Sequence, residues 1–481
     1  MVRGHVPVSV PELGMAARFQ NIDRETPMLL PACIQDWVPD NDLAHFIIDA
    51  VATLNLDNCS INHRGTGDAR FPPAMMLTLL IYCYATGLFS SRRLEHASFQ
   101  NLSVRFICAN THPDHDTICA FRRKNGPLIA ETFLKTLLLA RELKLLKVGT
   151  VAIDGTKVLA HASKHAANSY GKAGELIVTL ENEVAQLLAK AAAADSTPLK
   201  EGLTIQGEVV RRETRLAQLR TAREIIEARA REDAALEKTE RASALAERQA
   251  RQARGEKLRG KGPAGPGSVD ETPSPEAQYN YTDPESRIMK TGSGFEQSYN
   301  AQAAVEIDSR LIIGQRVTDA PNDKEQLAPT LASIPAGLGK PSIALTDSGF
   351  YSEAAVAGIE ALGADGLPQT QIIAAVVRTG HHRSVADLES KDDPPPPGPG
   401  ATAREDMIHR SATKAGKALY KQRQQTVEPV FGIIKSAMGF RQFLLRGKGK
   451  VSLEWSLVSL TYNMRRLHTL GMRALLLQRA A

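Results

Sequence analysis

Val148-Gly149-Thr150-Val151-Ala152-Ile153-Asp154-Gly155 is the stretch on which the fold turns. It is apolar and β-branched, too short for a helix, and it stops at an acid and a glycine. It therefore reads as a buried strand that delivers a carboxylate at its end. A second such run, residues 342–346, ends at Asp347-Ser348-Gly349. Between the two, strand signals at 299–306 and 311–317 flank the turn-like Ile307-Asp308-Ser309-Arg310, a hairpin pattern. Helical stretches follow Asp323 and span about 352–362; another strand is read at 371–377, then helices from about 412 into the 430s and from 453 to 477. Strands first as an antiparallel meander and then alternating with helices describe an α+β fold, a mixed sheet flanked by helices.

Outside this pattern the chain changes character. Residues 27–146 read as short helices: the apolar stretch 73–86, then Ser90-Ser91-Arg92-Arg93-Leu94, then a start framed by Asp114 and Asp116 that ends in Arg122-Arg123-Lys124. Ser or Asp before an apolar-periodic run is a capping signature. Several short helices with basic ends suit a helix-turn-helix-like DNA reader, with Arg92, Arg93, Arg122 and Arg123 as candidate contacts. A helical scaffold or dimer contact is an equal alternative. Residues 163–260, rich in Ala, Glu, Arg, Leu and Gln, read as a helical hairpin or coiled-coil arm, followed by a Gly/Pro-rich exit to 275. Asp393-Pro394-Pro395-Pro396-Pro397 marks a loop. The expected plan is a helical DNA-binding domain at 1–146, a catalytic domain at 147–162 and 295–475, a helical insertion at 163–294, and a Pro-rich loop at 381–410.

Composition narrows the partners. Of the net charge of +6, the last 81 residues carry fifteen Lys and Arg against four acids, so the basic charge is concentrated there. Basic stretches attract polyanions through counterion release, and nucleic acid leads over a merely solvated surface. Five cysteines, with no C-x-x-C pair, argue against a disulfide framework and for a reducing cytoplasm. No apolar run approaches a bilayer span and no secretory signal opens the chain. A cytoplasmic, nucleoid-associated protein without membrane contact is expected.

Two strands ending in aspartates, with a glutamate on a later helix, form a group suited to phosphodiester chemistry: two divalent cations held by hard oxygen ligands. Asp154, Asp347 and Glu428 are the candidates. Val151-Ala152-Ile153-Asp154-Gly155-Thr156-Lys157, Thr346-Asp347-Ser348-Gly349-Phe350-Tyr351-Ser352 and Val427-Glu428-Pro429-Val430-Phe431-Gly432-Ile433-Ile434-Lys435 resemble the three acidic blocks of bacterial insertion-sequence DDE transposases. Pro113-Asp114-His115-Asp116-Thr117 with Phe121-Arg122-Arg123 is similar to their helical N-terminal domain; residues 281–290 and 299–305 also resemble that group. The resemblance implies an RNase H-like catalytic fold and two Mg²⁺ or Mn²⁺ ions held by Asp154, Asp347 and Glu428. It also implies cleavage and strand transfer on double-stranded DNA, at terminal inverted repeats and target, by a homodimer or larger synaptic complex.

The family's glutamate motif is Tyr, two residues, Arg, three residues, Glu, six residues, Lys. Glu428 and Lys435 keep the gap, and seven helical steps return to one face. Tyr420 and Arg423 are each displaced by one residue, and Lys421, on the face of Glu428, is a substitute for the DNA contact. Pro429 predicts a kink or restart at Glu428. Asp323 and Glu454 are alternative acids: the first sits in a turn-like Pro321-Asn322-Asp323, the second opens a helix. Cys108, His112, His115 and Cys119 do not follow a familiar zinc spacing, and His381-His382 reads as a solvated pair. Beside active transposition stand two other readings, a decayed or domesticated DNA-binding protein of the same fold and a nuclease that cuts without joining.

Overall fold

The computed structural model describes residues 33–54, 56, 59, 71–193, 202–255, 262, 264–361, 369–376 and 393–471; His381 and His382 lie outside them. Short helices open the chain: α1 (Leu43–Ala52), α2 (Pro73–Ala85), α3 (Ser91–Gln100), α4 (Leu102–Ile107), α5 (His115–Lys124) and α6 (Gly126–Glu142). Asp42, Asn101 and Asp114 cap α1, α4 and α5 by accepting from backbone N–H groups of the first turn, while Ser90 precedes α3 without such a bond. Helix α2 is buried on every side from Met76 to Ala85, so its sequence is apolar throughout rather than striped.

β1 (Thr150–Leu159) does not stop at Asp154, as its apolar run suggests. It continues because a later strand, β5, pairs with it as far as Leu159 and satisfies its backbone. The arm follows β2 (Ala167–Ser169) as α7 (Tyr170–Ala192) and α8 (Ile205–Ala253); at 1.5 Å per residue, α8 is about 73 Å long. The chain returns through β3 (Gln278–Asn280), which pairs with β2, then β4 (Arg287–Thr291), β5 (Gly294–Glu306) and β6 (Ile312–Thr318). Next come α9 (Leu327–Ala332), β7 (Ile343–Thr346), α10 (Glu353–Glu360), β8 (Gln371–Ala374), α11 (Ala403–Ala412), α12 (Lys414–Gly432) and α13 (Lys448–Thr469). Helix α11 corrects the expectation of a loop up to residue 410: a reciprocal capping box between Thr402 and Glu405 starts it.

The main sheet runs β4-β5-β1-β7-β8, with β6 also paired to β5. β5 is antiparallel to β1, β4 and β6, whereas β1, β7 and β8 are mutually parallel. Helices flank this mixed sheet, an RNase H-like arrangement. Val151, Ala152 and Ile153 are fully buried, as a central strand requires. The apolar core is continuous from Phe46 and Ile47 of α1, through β1 and β5, to Trp455 and Leu457 of α13. The closing helix packs on α2, α6 and β6 at once, so the helical N-terminal region shares its core with the sheet.

The arm joins the body at a small apolar cluster, Ala222, Ile226 and Tyr279, flanked by Tyr170 and Tyr281. Arg215 and Arg223 lie over the rings of Tyr281 and Tyr170. The first half of α8 pairs with α7 through Arg212–Glu183 at 2.6 Å and Arg220–Glu181 at 2.7 Å. Its second half reaches the body through three ion pairs spread along its length: Asp233 with Arg287 at 3.5 Å, Glu240 with Lys324, and Arg254 with Glu405 at 3.0 Å.

Candidate active site

The register Ala152↔Leu345 between parallel β1 and β7, extended by two residues, places Asp154 and Asp347 side by side on neighbouring strands. Both carboxylates meet one cation. The Arg423 Nη2 lies 3.1 Å from Asp154 Oδ2 and 3.5 Å from Asp347 Oδ2. Asp154 is mostly buried and also accepts from the Gly155 N–H at 2.8 Å. Asp347 is more open and accepts from the Gly349 N–H at 2.9 Å. Desolvation pushes the Asp154 carboxyl up to about 6; Arg423 opposes this, while Asp347 and Asp323 add to it.

A polar cluster stands behind the aspartates. The register Gly155↔Gln302 and Lys157↔Asn300 sets these four residues on one face of the β1–β5 pair. Asp323 Oδ1 accepts from both Asn300 Nδ2 and Gln302 Nε2 at 2.6 Å and lies 3.8 Å from Lys157 Nζ. Burial holds the Lys157 ammonium below its usual range. Only glycine fits at 155, since a Cβ there would stand 2.3 Å from Gln302 Nε2 and 2.7 Å from Asp323 Oδ1. The turn-like position read for Asp323 did not reveal this clustering. The available signal was two amide residues, Asn300 and Gln302, alternating inside the otherwise apolar stretch 299–305 of the strand.

Glu428 is not gathered with the two aspartates: it is exposed on α12, and among the described residues no group of three or more His, Cys, Asp or Glu is placed to hold a metal ion. Five helical steps separate it from Arg423, about 140° around the axis. Helix α12 runs through Pro429 without the expected restart. The irregularity comes one turn later, in a π turn over Ile433–Ala437 in which Met438 N–H donates to Ile433 O. That wider turn breaks the expected shared face, and Lys435 is directed to the Lys157 carbonyl at 2.8 Å.

The basic candidates divide in the same way. Arg92, Arg93, Arg123 and Lys421 are exposed, and the first two line a surface concavity with His96 and Gln100. Arg122 is a correction: it is 5% exposed, donates to Tyr84 Oη at 2.7 Å and to Phe89 O, and has no surface to offer DNA. Arg423 is likewise 5% exposed and faces the aspartates. Tyr420 lies beside it, its phenol pushed up by burial with Arg423, Asp347 and Asp154 in electrostatic range. Glu454, also completely buried, accepts from Tyr84 and from the Leu444 and Leu445 N–H groups. His112 bonds Ser98 and stacks on Phe99, and His115 pairs with Glu95 at 2.8 Å.

Comparison with known families agrees at both ends of the chain. A model described as a transposase DDE domain matches residues 400–468, and one described as a transposase domain, DUF772, matches residues 32–124. No curated protein and no solved structure matches. The chain carries a DUF772 transposase domain and a transposase DDE domain, the pairing of insertion-element transposases. Among the described residues no helix is long and apolar enough to cross a membrane.

Proposed function

We propose that this chain cuts and rejoins DNA at the ends of an insertion sequence, with Asp154 and Asp347 at the centre of the reaction. The observation that carries the reading is the convergence of these two carboxylates on a single cationic nitrogen. Two hard oxygen donors from adjacent strands, already gathered around positive charge, fit a divalent cation such as Mg²⁺ or Mn²⁺. Two such ions would supply charge neutralisation for attack on the phosphodiester, first by water and then by the freed 3′-hydroxyl.

The chain's own residues hold and orient. Asp154 is fixed by the Gly155 N–H and Asp347 by the Gly349 N–H, so each carboxylate presents its second oxygen inward. Glu428 is the proposed third ligand, to be brought in by movement of α12 when DNA is bound. Lys421, Tyr420 and Lys435 on and beyond α12, with Arg92, Arg93 and Arg123 at the N-terminal end, supply cations and a phenol for the DNA backbone. A homodimer or larger complex would hold two DNA ends, with the α7–α8 hairpin as the contact; deleting the hairpin and measuring mass by light scattering tests that role, and an unchanged oligomer rejects it.

The double variant Asp154→Asn, Asp347→Asn should keep DNA binding in a gel-shift assay and lose strand cleavage. Cleavage that survives with both acids neutralised removes these residues from the reaction. The separation of Glu428 from the aspartates favours one alternative, a DNA-binding protein of this fold without catalysis. A strand-transfer assay with Mg²⁺ or Mn²⁺ separates the two, and hydrolysis without joining would identify a nuclease.

A further inference from the structure

Arg423 has an unusual place for a residue of a helix facing DNA chemistry. Its guanidinium is buried, yet it meets the aspartates through one nitrogen shared between both carboxylates. An arginine that grips a carboxylate permanently tends to a two-pronged geometry. Here a single nitrogen serves both acids, and Nε, as in Arg122, is buried without a hydrogen bond. Two carboxylates side by side, one of them mostly buried, repel each other without a cation, and Nη2 stands at the point where their oxygens converge.

We propose that Arg423 is a resident counter-ion: it holds Asp154 and Asp347 together in the cation-free protein, occupies the position of a divalent ion, and is displaced when one enters. The inference rests on the metal-binding reading above. A divalent cation bound at about 2.1 Å from carboxylate oxygens and a guanidinium nitrogen at 3.1 and 3.5 Å from the same two oxygens claim the same space. They also carry the same sign of charge. Arg423 is thus a positioning residue that sets how tightly the site takes its ion, and keeps the DNA-free protein from loading readily.

Mn²⁺ binding to the full-length, DNA-free protein, followed by the electron paramagnetic resonance signal of free Mn²⁺, tests this. Arg423→Gln should bind at least tenfold more tightly than the unchanged protein, Arg423→Lys should stay near it, and Asp154→Asn should abolish the site. Equal binding by Arg423→Gln and the unchanged protein, both lost with Asp154→Asn, overturns the counter-ion role and leaves the metal site standing. Binding that ignores Asp154→Asn overturns both. A second measurement needs no variant: phenylglyoxal labelling of Arg423, read by peptide mass, should rise on saturation with Mg²⁺. Unchanged labelling means the arginine stays in place and the proposal fails.

Discussion

Asp154 and Asp347 lie two residues beyond one register pair of adjacent parallel strands and share a single guanidinium nitrogen of Arg423. The arrangement is held under electrostatic tension, because Asp154 is buried beside a like charge. Its carboxyl is pushed up to about 6 from 3.8. An acid with a raised folded pKa favours folding while protonated, and that advantage is lost as pH rises from about 4 through 6. Above that window the ionised group costs about 3 kcal/mol, at 1.36 kcal/mol per pKa unit. Asp154→Asn should therefore be more stable than the unchanged protein at pH 8, by up to about 3 kcal/mol, with the gap closing near pH 4. Urea denaturation at both pH values checks this; a less stable variant at pH 8 would mean that the pairing with Arg423 outweighs desolvation.

Gly155→Ala should destabilise without changing the net charge. The new methyl meets Gln302, Asp323 and Asn300, each closer than real Cβ contacts allow. A loss of about 1–3 kcal/mol is expected from such overpacking, readable as a lower midpoint in denaturant. Accompanying disorder of the Asp323 cluster would appear as weakened Mn²⁺ binding.

Glu454→Ala should weaken the join between the helical N-terminal region and the sheet. The change strips Tyr84 and two backbone N–H groups of their acceptor and leaves Arg122 buried with a charge that Glu454 had balanced. Removing one member of such a buried set costs about 3–5 kcal/mol. A stability loss under 1 kcal/mol would show that water enters and replaces the carboxylate.

Lys324→Glu should loosen the second half of α8. Between Asp233 and Arg254 the helix meets the body through partly exposed ion pairs, with Glu240–Lys324 in the middle. Exposed pairs contribute about 1 kcal/mol or less, so charge reversal should raise tryptic cutting at Lys238 and Arg241 roughly fivefold, since cutting follows the open population. The companion change Glu240→Lys should restore protection elsewhere on the helix; cutting at an unchanged rate in Lys324→Glu would show that this pair does not hold α8 to the body.

Much of this protein was already decided by local sequence. The apolar β-branched run before Asp154, the matching run before Asp347, the charge-dense arm and the cap at Asp114 are short-range signals, and each became the kind of element its neighbours in the chain dictate. The fold class followed, and so did the two strands that carry aspartates, because strand periodicity is legible without knowing what packs on it. What required tertiary structure was everything set by pairing across distance: how far β1 runs, which depends on β5; that Arg122 is spent on Tyr84 inside the body; and that Asp323 is held by Asn300 and Gln302. The inward turn of Arg423 and outward turn of Glu428 belong to the same class. They lie five residues apart on one helix, and only the way that helix packs against β1 and β7 determines which of them meets the carboxylates.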